Sequence, residues 1–248
     1  SKDEAGRDLS WGNGEALLSL IEDIASRRGF GDVLADGASA LKRLPPEASK
    51  YMMQVRNSLI LPAGGRAIKS FAFNRAVATI GGHQHRNLPG IDVLNLPAEV
   101  YQNLYGGYVS PDRKSGEGKA LMIWWHELLY AICDALGCCR FQTVFNSPNA
   151  PKYEEYSELI RLATGWDMTI SELEEIGERI YTLERLLLGK LGGGSRKDDI
   201  LPERYFTEPV AGGPGAGEVL DREEFERFLD DYYALHNWDE NGHPTSAQ

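Results

Sequence analysis

The scarcest reactive side chains of this 248-residue sequence are three cysteines and five histidines, and most of them fall in two short segments. The first, Cys133-Asp134-Ala135-Leu136-Gly137-Cys138-Cys139, sets an acid, a glycine and two adjacent thiols at the end of a long apolar helical pattern. A thiol is a soft ligand for iron and other transition metals. An aspartate accepts hydrogen bonds from polar ligand groups, and a glycine lets the backbone turn or approach another group closely. Three cysteines cannot complete a four-thiolate site, so a metal site here needs ligands from elsewhere. The alternative is a pair of buried thiols, since free cysteine packs as a small hydrophobe; a vicinal disulfide would be strained.

The second segment, His83-Gln84-His85-Arg86-Asn87, follows a double glycine. Imidazoles suit proton transfer near neutral pH and metal ligation, and a guanidinium can grip a phosphate with two parallel hydrogen bonds. A polar loop with incidental histidines is the plainer alternative, because no carboxylate lies close by in sequence. A third segment, His126-Glu127-Leu128-Leu129-Tyr130, begins like a zinc-protease helix but has Tyr130 where the second histidine must stand. His126 is therefore expected to be a satisfied histidine inside a buried helix.

The elements that position these segments read as helices. Leu17, Leu20, Ile21 and Ile24 lie on one face of a helix from about Glu15 to Arg28. A second helix is expected from Asp32 to the Pro45-Pro46 break, with Val33, Leu34, Ala38 and Leu41 inward. The stretch Tyr51 to Leu61 looks extended, and Pro62-Ala63-Gly64-Gly65 marks a turn or boundary. Phe71 to Ile80 forms a short helix. A long helix from Glu117 to Leu136, apolar nearly all round, should be central and buried. Thr169-Ile170-Ser171-Glu172 is a capping box opening a helix to Gly189, with Leu173, Ile176, Ile180, Leu183 and Leu187 at helical spacing. A last helix covers Asp221 to His236. The fold class is all-α (mainly α).

Lys and Arg total 26 against 37 Asp and Glu, a net charge of −11 that disfavours nucleic acid as a partner. No apolar run of about 18 residues predicts a membrane span. Ser1-Lys2-Asp3-Glu4 lacks a signal pattern. Few cysteines predict a reducing, cytoplasmic setting without a disulfide framework.

Further motifs tie these pieces together. Trp11-Gly12-Asn13, Arg28-Gly29-Phe30-Gly31-Asp32, Leu59-Ile60-Leu61-Pro62-Ala63, Ile176-Gly177-Glu178-Arg179-Ile180, Leu183-Glu184-Arg185, Arg196-Lys197-Asp198-Asp199, Leu201-Pro202-Glu203-Arg204 and Asn237-Trp238-Asp239-Glu240-Asn241-Gly242 occur in this order. In order and spacing the chain resembles the C-terminal region of the aldehyde:ferredoxin oxidoreductase family, tungsten or molybdenum enzymes with a bis-pyranopterin and a [4Fe-4S] cluster. The resemblance implies that residues 1–61 end the family's middle helical domain and that 62–248 form its C-terminal helical domain. The family pattern Asp-x-x-Gly-Leu-Cys maps onto Asp134 and Gly137 as pterin-side residues and Cys139 as cluster ligand, with Cys138 in place of leucine. On Gly-Gly-Cys-His-x-Lys, His83 falls on the cysteine, Gln84 on the histidine, His85 on the variable position and Arg86 on the lysine. His83 or His85 is then the proton carrier, and Arg86 approaches the pterin.

The resemblance further implies aldehyde oxidation to a carboxylic acid, ferredoxin as electron acceptor, and a homodimer. The displaced histidine points alternatively to a branch resembling benzoyl-coenzyme A reductase, with a thioester substrate. The remaining cluster cysteines and the N-terminal pterin-binding domain lie upstream in the family. The chain is therefore expected to be a C-terminal fragment that binds neither cofactor stably by itself. A cofactor-free helical interaction module derived from the same fold is the competing expectation.

Overall fold

A computed structural model describes residues 3, 6–61 and 64–245, and of Gln84 the backbone. The N-terminal tetrapeptide and the Pro62-Ala63 turn lie wholly or partly outside the described residues. The chain forms two compact units, Ser1–Met53 and Gln54–Gln248.

In the first unit, α1 (Gly14–Ala25) starts where the Asn13 side chain accepts a hydrogen bond from the Ala16 N–H at 3.2 Å. It packs on α2 (Phe30–Leu34) through Gly31, where an added Cβ would meet the Asp23 carbonyl carbon at 2.4 Å. The expected helix to Pro45 breaks after Leu34. Gly37 adopts φ 56°, and a 3₁₀ helix, Gly37–Arg43, replaces it. Leu17 and Ile21 are exposed rather than inward: among the described residues of this unit no element covers that side of α1.

The second unit opens with a hairpin, β1 (Gln54–Val55) paired antiparallel to β2 (Ser58–Leu59). Then come α3 (Lys69–Val77), α4 (Ala98–Tyr105), α5 (Lys119–Leu136), α6 (Tyr153–Thr164), α7 (Ile170–Lys190), α8 (Arg204–Thr207) and α9 (Arg222–Leu235). The protein is mainly helical, as its sequence predicts. Helix α5 is the central element: from Lys119 to Cys133 every residue but Leu121 and Trp124 is buried. It packs against α3, α7 and α9. Helix α9 contributes Phe225, Phe228, Leu229, Tyr232 and Tyr233 at spacings of three and four, one apolar face turned inward.

Helix α7 begins at the expected capping box. Thr169 Oγ1 accepts from the Glu172 N–H at 3.2 Å, and Glu172 Oε2 accepts from the Thr169 N–H at 2.8 Å. Its buried stripe shares only its first residue, Leu173, with the apolar stripe. Leu173, Gly177, Tyr181 and Arg185 face inward, while Leu183 and Leu187 are exposed. Helices α4 and α6 lie in segments for which the apolar spacing predicts no helix. No helix among the described residues is long and apolar enough to cross a membrane.

Candidate functional site

The C-terminus of α5 is built by a specific backbone motif. Gly137 adopts the left-handed conformation at φ 71°, and its N–H donates to the Asp134 carbonyl at 3.2 Å. The Cys138 N–H reaches back to the Cys133 carbonyl at 2.8 Å, which completes a Schellman ending. A side chain at Gly137 would be strained at that φ. The motif ejects the chain from the helix, so the three cysteines part company. Cys133 is buried, with its pKa pushed up to about 11 by burial; Cys138 is half-buried; Cys139 is exposed. Cys133 is a packed thiol and Cys138 lies partly buried against the same core, whereas Cys139 is not packed.

Asp134 lies in the last turn of α5, where the partial negative charge of the helix end repels a carboxylate. Two guanidiniums offset that repulsion. Arg140 Nη2 donates to Asp134 Oδ1 and Oδ2 at 2.8 and 2.9 Å, and Arg86 Nη1 donates to Oδ2. Arg86 also donates from Nη2 to Glu184 Oε1 and from Nε to Glu184 Oε2 at 3.2 Å. The Thr79 hydroxyl donates to that same carboxylate at 2.6 Å. Beneath Arg86 lies the Tyr181 ring, 5.6 Å from the guanidinium carbon, and Arg140 stands 5.6 Å over Tyr130 in the same way. The guanidinium of Arg86 is thus largely buried and committed to two carboxylates. Burial works against its charge, and Tyr181, Glu184 and Asp134 outweigh it, raising its pKa.

The histidine segment closes one side. His83 is exposed, His85 is half-buried, and their rings lie 5.0 Å apart. His85 sits 5.6 Å edge-on from Phe141, and its carbonyl accepts from Arg140 Nη1. Burial lowers the pKa of His85, helped by His83 and Arg140, so the ring is neutral at pH 7. Its Nδ1 is buried without a hydrogen-bond partner. A neutral imidazole with an open nitrogen is equipped to accept a proton.

The structure therefore brings together His85, Arg86, Asp134 and Arg140, with Gly137 turning the chain between Asp134 and Cys139. Glu184, Arg140 and Tyr181 belong to the same constellation: Glu184 lies in the Leu183-Glu184-Arg185 motif without a site role attached to it, while Tyr181 and Arg140 lie outside the quoted motifs. His126 is a core residue: its Nε2 meets the Tyr105 hydroxyl at 3.1 Å and it is fully buried, so it plays no part here.

Against the cofactors implied by the resemblance, this donor set fits one contributor to each site and not a closed site. Cys139 is a single exposed thiol, and no group of three or more His, Cys, Asp or Glu is gathered for a metal among the described residues. Asp134, more than a third exposed, retains an open side for a polar ligand.

A family profile described as aldehyde ferredoxin oxidoreductase, domains 2 & 3, matches residues 1–248. The tungsten-containing aldehyde ferredoxin oxidoreductase of Pyrococcus furiosus is 34% identical over 236 residues, covering 94% of this chain and 35% of that protein. The aliphatic sulfonate oxidoreductase, WOR-like subunit, of the same organism is 28% identical over 258 residues, 98% of this chain and again 35% of the relative. Among solved structures, the active site complex BamBC of benzoyl coenzyme A reductase in complex with 1,5 dienoyl-CoA aligns with a TM-score of 0.66. That match has 22% identity, covers 100% of this chain and 40% of the other, and shows a shared fold alone. The chain spans 35% of the length of the curated relatives it matches. By the profile match over its whole length, the chain belongs to the aldehyde ferredoxin oxidoreductase family, as domains 2 and 3.

Proposed function

We propose that this chain is the C-terminal part of a tungsten- or molybdenum-pterin oxidoreductase that oxidises aldehydes to carboxylic acids. The observation that carries this reading is the convergence of Arg86 and Arg140 on Asp134, one Schellman turn from the exposed Cys139 thiol. A pterin contact and a cluster ligand belong that close together, because electrons leaving the metal must reach the cluster over a short distance. When bound, the metal pterin supplies the two-electron oxidation and the [4Fe-4S] cluster passes the electrons singly to ferredoxin.

The chain's own residues then have distinct tasks. Asp134, oriented by Arg86 and Arg140, accepts hydrogen bonds from the pterin, and Gly137 turns the backbone toward the cluster. Cys139 supplies one thiolate, while Cys138 packs beside it. His85 accepts the proton, with His83 the second candidate. Upstream domains of the same enzyme supply the other ligands, with the domain boundary near Leu61. The working assembly is a homodimer in the reducing cytoplasm. A thioester substrate, as in a benzoyl-coenzyme A reductase-like branch, is the second reading, favoured by Gln84 standing between His83 and His85 where the family has histidine.

The test is an assay of the full-length protein purified without oxygen. Bound tungsten or molybdenum, with ferredoxin reduced on addition of an aldehyde, is the expected result. Ferredoxin reacting only with an aromatic thioester would favour the second reading. Absence of both metal and cluster would leave a cofactor-free helical module.

A further inference from the structure

His236 is fully buried at the end of α9, and the proposed function has no use for it. Both its ring nitrogens face carboxylates: Nδ1 lies 2.7 Å from Glu178 Oε1 and Nε2 lies 3.1 Å from Glu127 Oε2. Those carboxylates otherwise receive donors. The Tyr232 hydroxyl at 2.9 Å and the Asn87 amide at 2.6 Å donate to Glu127. The Trp124 indole N–H at 3.1 Å and the Thr182 hydroxyl at 3.2 Å donate to Glu178. Where both carboxylates are ionised they only accept, so both ring nitrogens then carry protons and His236 is an imidazolium. Burial opposes that charge, and the hydrogen bonds His236 makes to Glu127 and Glu178 outweigh it, raising the pKa.

The imidazolium also belongs to a run of stacked flat groups. Trp238 lies near-parallel to it at 4.3 Å and 15°, and Tyr181 at 5.7 Å and 13°. Beyond Trp238 stands the Arg185 guanidinium, 4.9 Å from the ring; beyond Tyr181 stands Arg86, at 5.6 Å. Cations and aromatic rings thus alternate from Arg185 through Trp238, His236 and Tyr181 to Arg86, each contact a favourable cation–π pairing. A second link runs through Glu127, which anchors Asn87, the neighbour of Arg86 in the chain.

We propose that His236 is a positioning residue for Arg86, fixing Tyr181 under the guanidinium and, through Glu127, the backbone that carries it. The titratable and charged groups facing His236 include Glu127 from α5, Glu178 and Tyr181 from α7, and Tyr232 from α9 itself. A neutral ring would give up one of the two carboxylate bonds, and Tyr181 and Asn87 would lose their fixed seat. Giving Arg86 the task of orienting Asp134 toward the pterin rests on the proposed function. The link from His236 to Arg86 does not, and it can be read with no cofactor present.

The experiment is ¹⁵N NMR of the 248-residue chain. Both His236 ring nitrogens should be protonated at pH 7; a neutral tautomer overturns the proposal. The Arg86 Nε–H resonance should shift in His236→Gln and Tyr181→Leu, and should stay in place in Tyr181→Phe, which keeps the ring. If His236→Gln does not fold, a pH titration of the unaltered chain decides. Arg86 should move with the His236 midpoint, and an Arg86 signal indifferent to His236 reduces the histidine to core packing. Failure of the aldehyde assay touches none of these outcomes.

Discussion

A carboxylate in the last turn of a helix is locally unfavourable, and Asp134 is held there by Arg86 and Arg140. Side-chain type drew attention to Asp134, Gly137, the Cys138-Cys139 pair and Arg86 in the sequence, but only the family resemblance separates Cys139 from Cys138 and gives the four their expected roles. That Arg86 and Asp134 are partners was not legible, since 48 residues separate them and a fold must bring them together. Glu184, 98 residues from Arg86, was hidden for the same reason. At this scale His126 offers a pH test. Burial pushes its pKa down to about 3, so the folded protein keeps it neutral. The unfolded chain takes the proton first as pH falls below about 6.5, so stability is full above that value and lost progressively toward pH 3. By pH 4 the loss from this one group is on the order of 3 kcal/mol. In His126→Gln, urea titrations at pH 7 and pH 4 should differ by less than in the unaltered protein.

At the scale of elements, α5 and α9 were legible because their apolar spacing is strong, and α7 because its capping box marks the start. The buried face of α7 only partly follows its apolar spacing, with Leu173 inward but Leu183 and Leu187 exposed. Its inward stripe holds Gly177, Tyr181 and Arg185, whose burial depends on close backbone approach and on buried ion pairs rather than on hydrophobicity. Helix α4 escaped notice because it is eight residues long, with Pro97 at its start and no side-chain cap. Helix α6 escaped because two of its three buried positions are tyrosines, Tyr153 and Tyr156. Gly177 sets the distance between α5 and α7: an added Cβ would lie 2.9 Å from the Leu128 carbonyl oxygen and Cβ. Gly177→Ala should therefore destabilise by about 1–3 kcal/mol despite alanine's better helix propensity. Gly189→Ala, with open space around it in the same helix, should stabilise by about 0.5–1 kcal/mol. Chemical denaturation of the pair checks both signs.

At the scale of the whole molecule, the second unit is organised around buried charge as much as around apolar packing. Asp199, fully buried, accepts from Arg185 Nη1 and Nη2 at 2.9 and 2.6 Å, from the Tyr233 hydroxyl at 2.6 Å and from Arg56 Nη2. Removing it strands two buried guanidiniums, so Asp199→Ala should cost roughly 3–5 kcal/mol in a thermal or urea melt. Lys119 with Asp92, and His236 with Glu127 and Glu178, form similar closed sets. The α5 terminus differs from them. Asp134 keeps an open side and Cys139 is exposed, and the proposed function makes them half-sites to be completed by the upstream part of a longer enzyme. The most direct measurement of that claim is the electron paramagnetic resonance signal of the reduced [4Fe-4S] cluster in the full-length protein carrying Cys139→Ala. Loss or conversion of the signal, with a normal signal in Cys138→Ala, is the predicted result; an unchanged cluster signal in Cys139→Ala would contradict it.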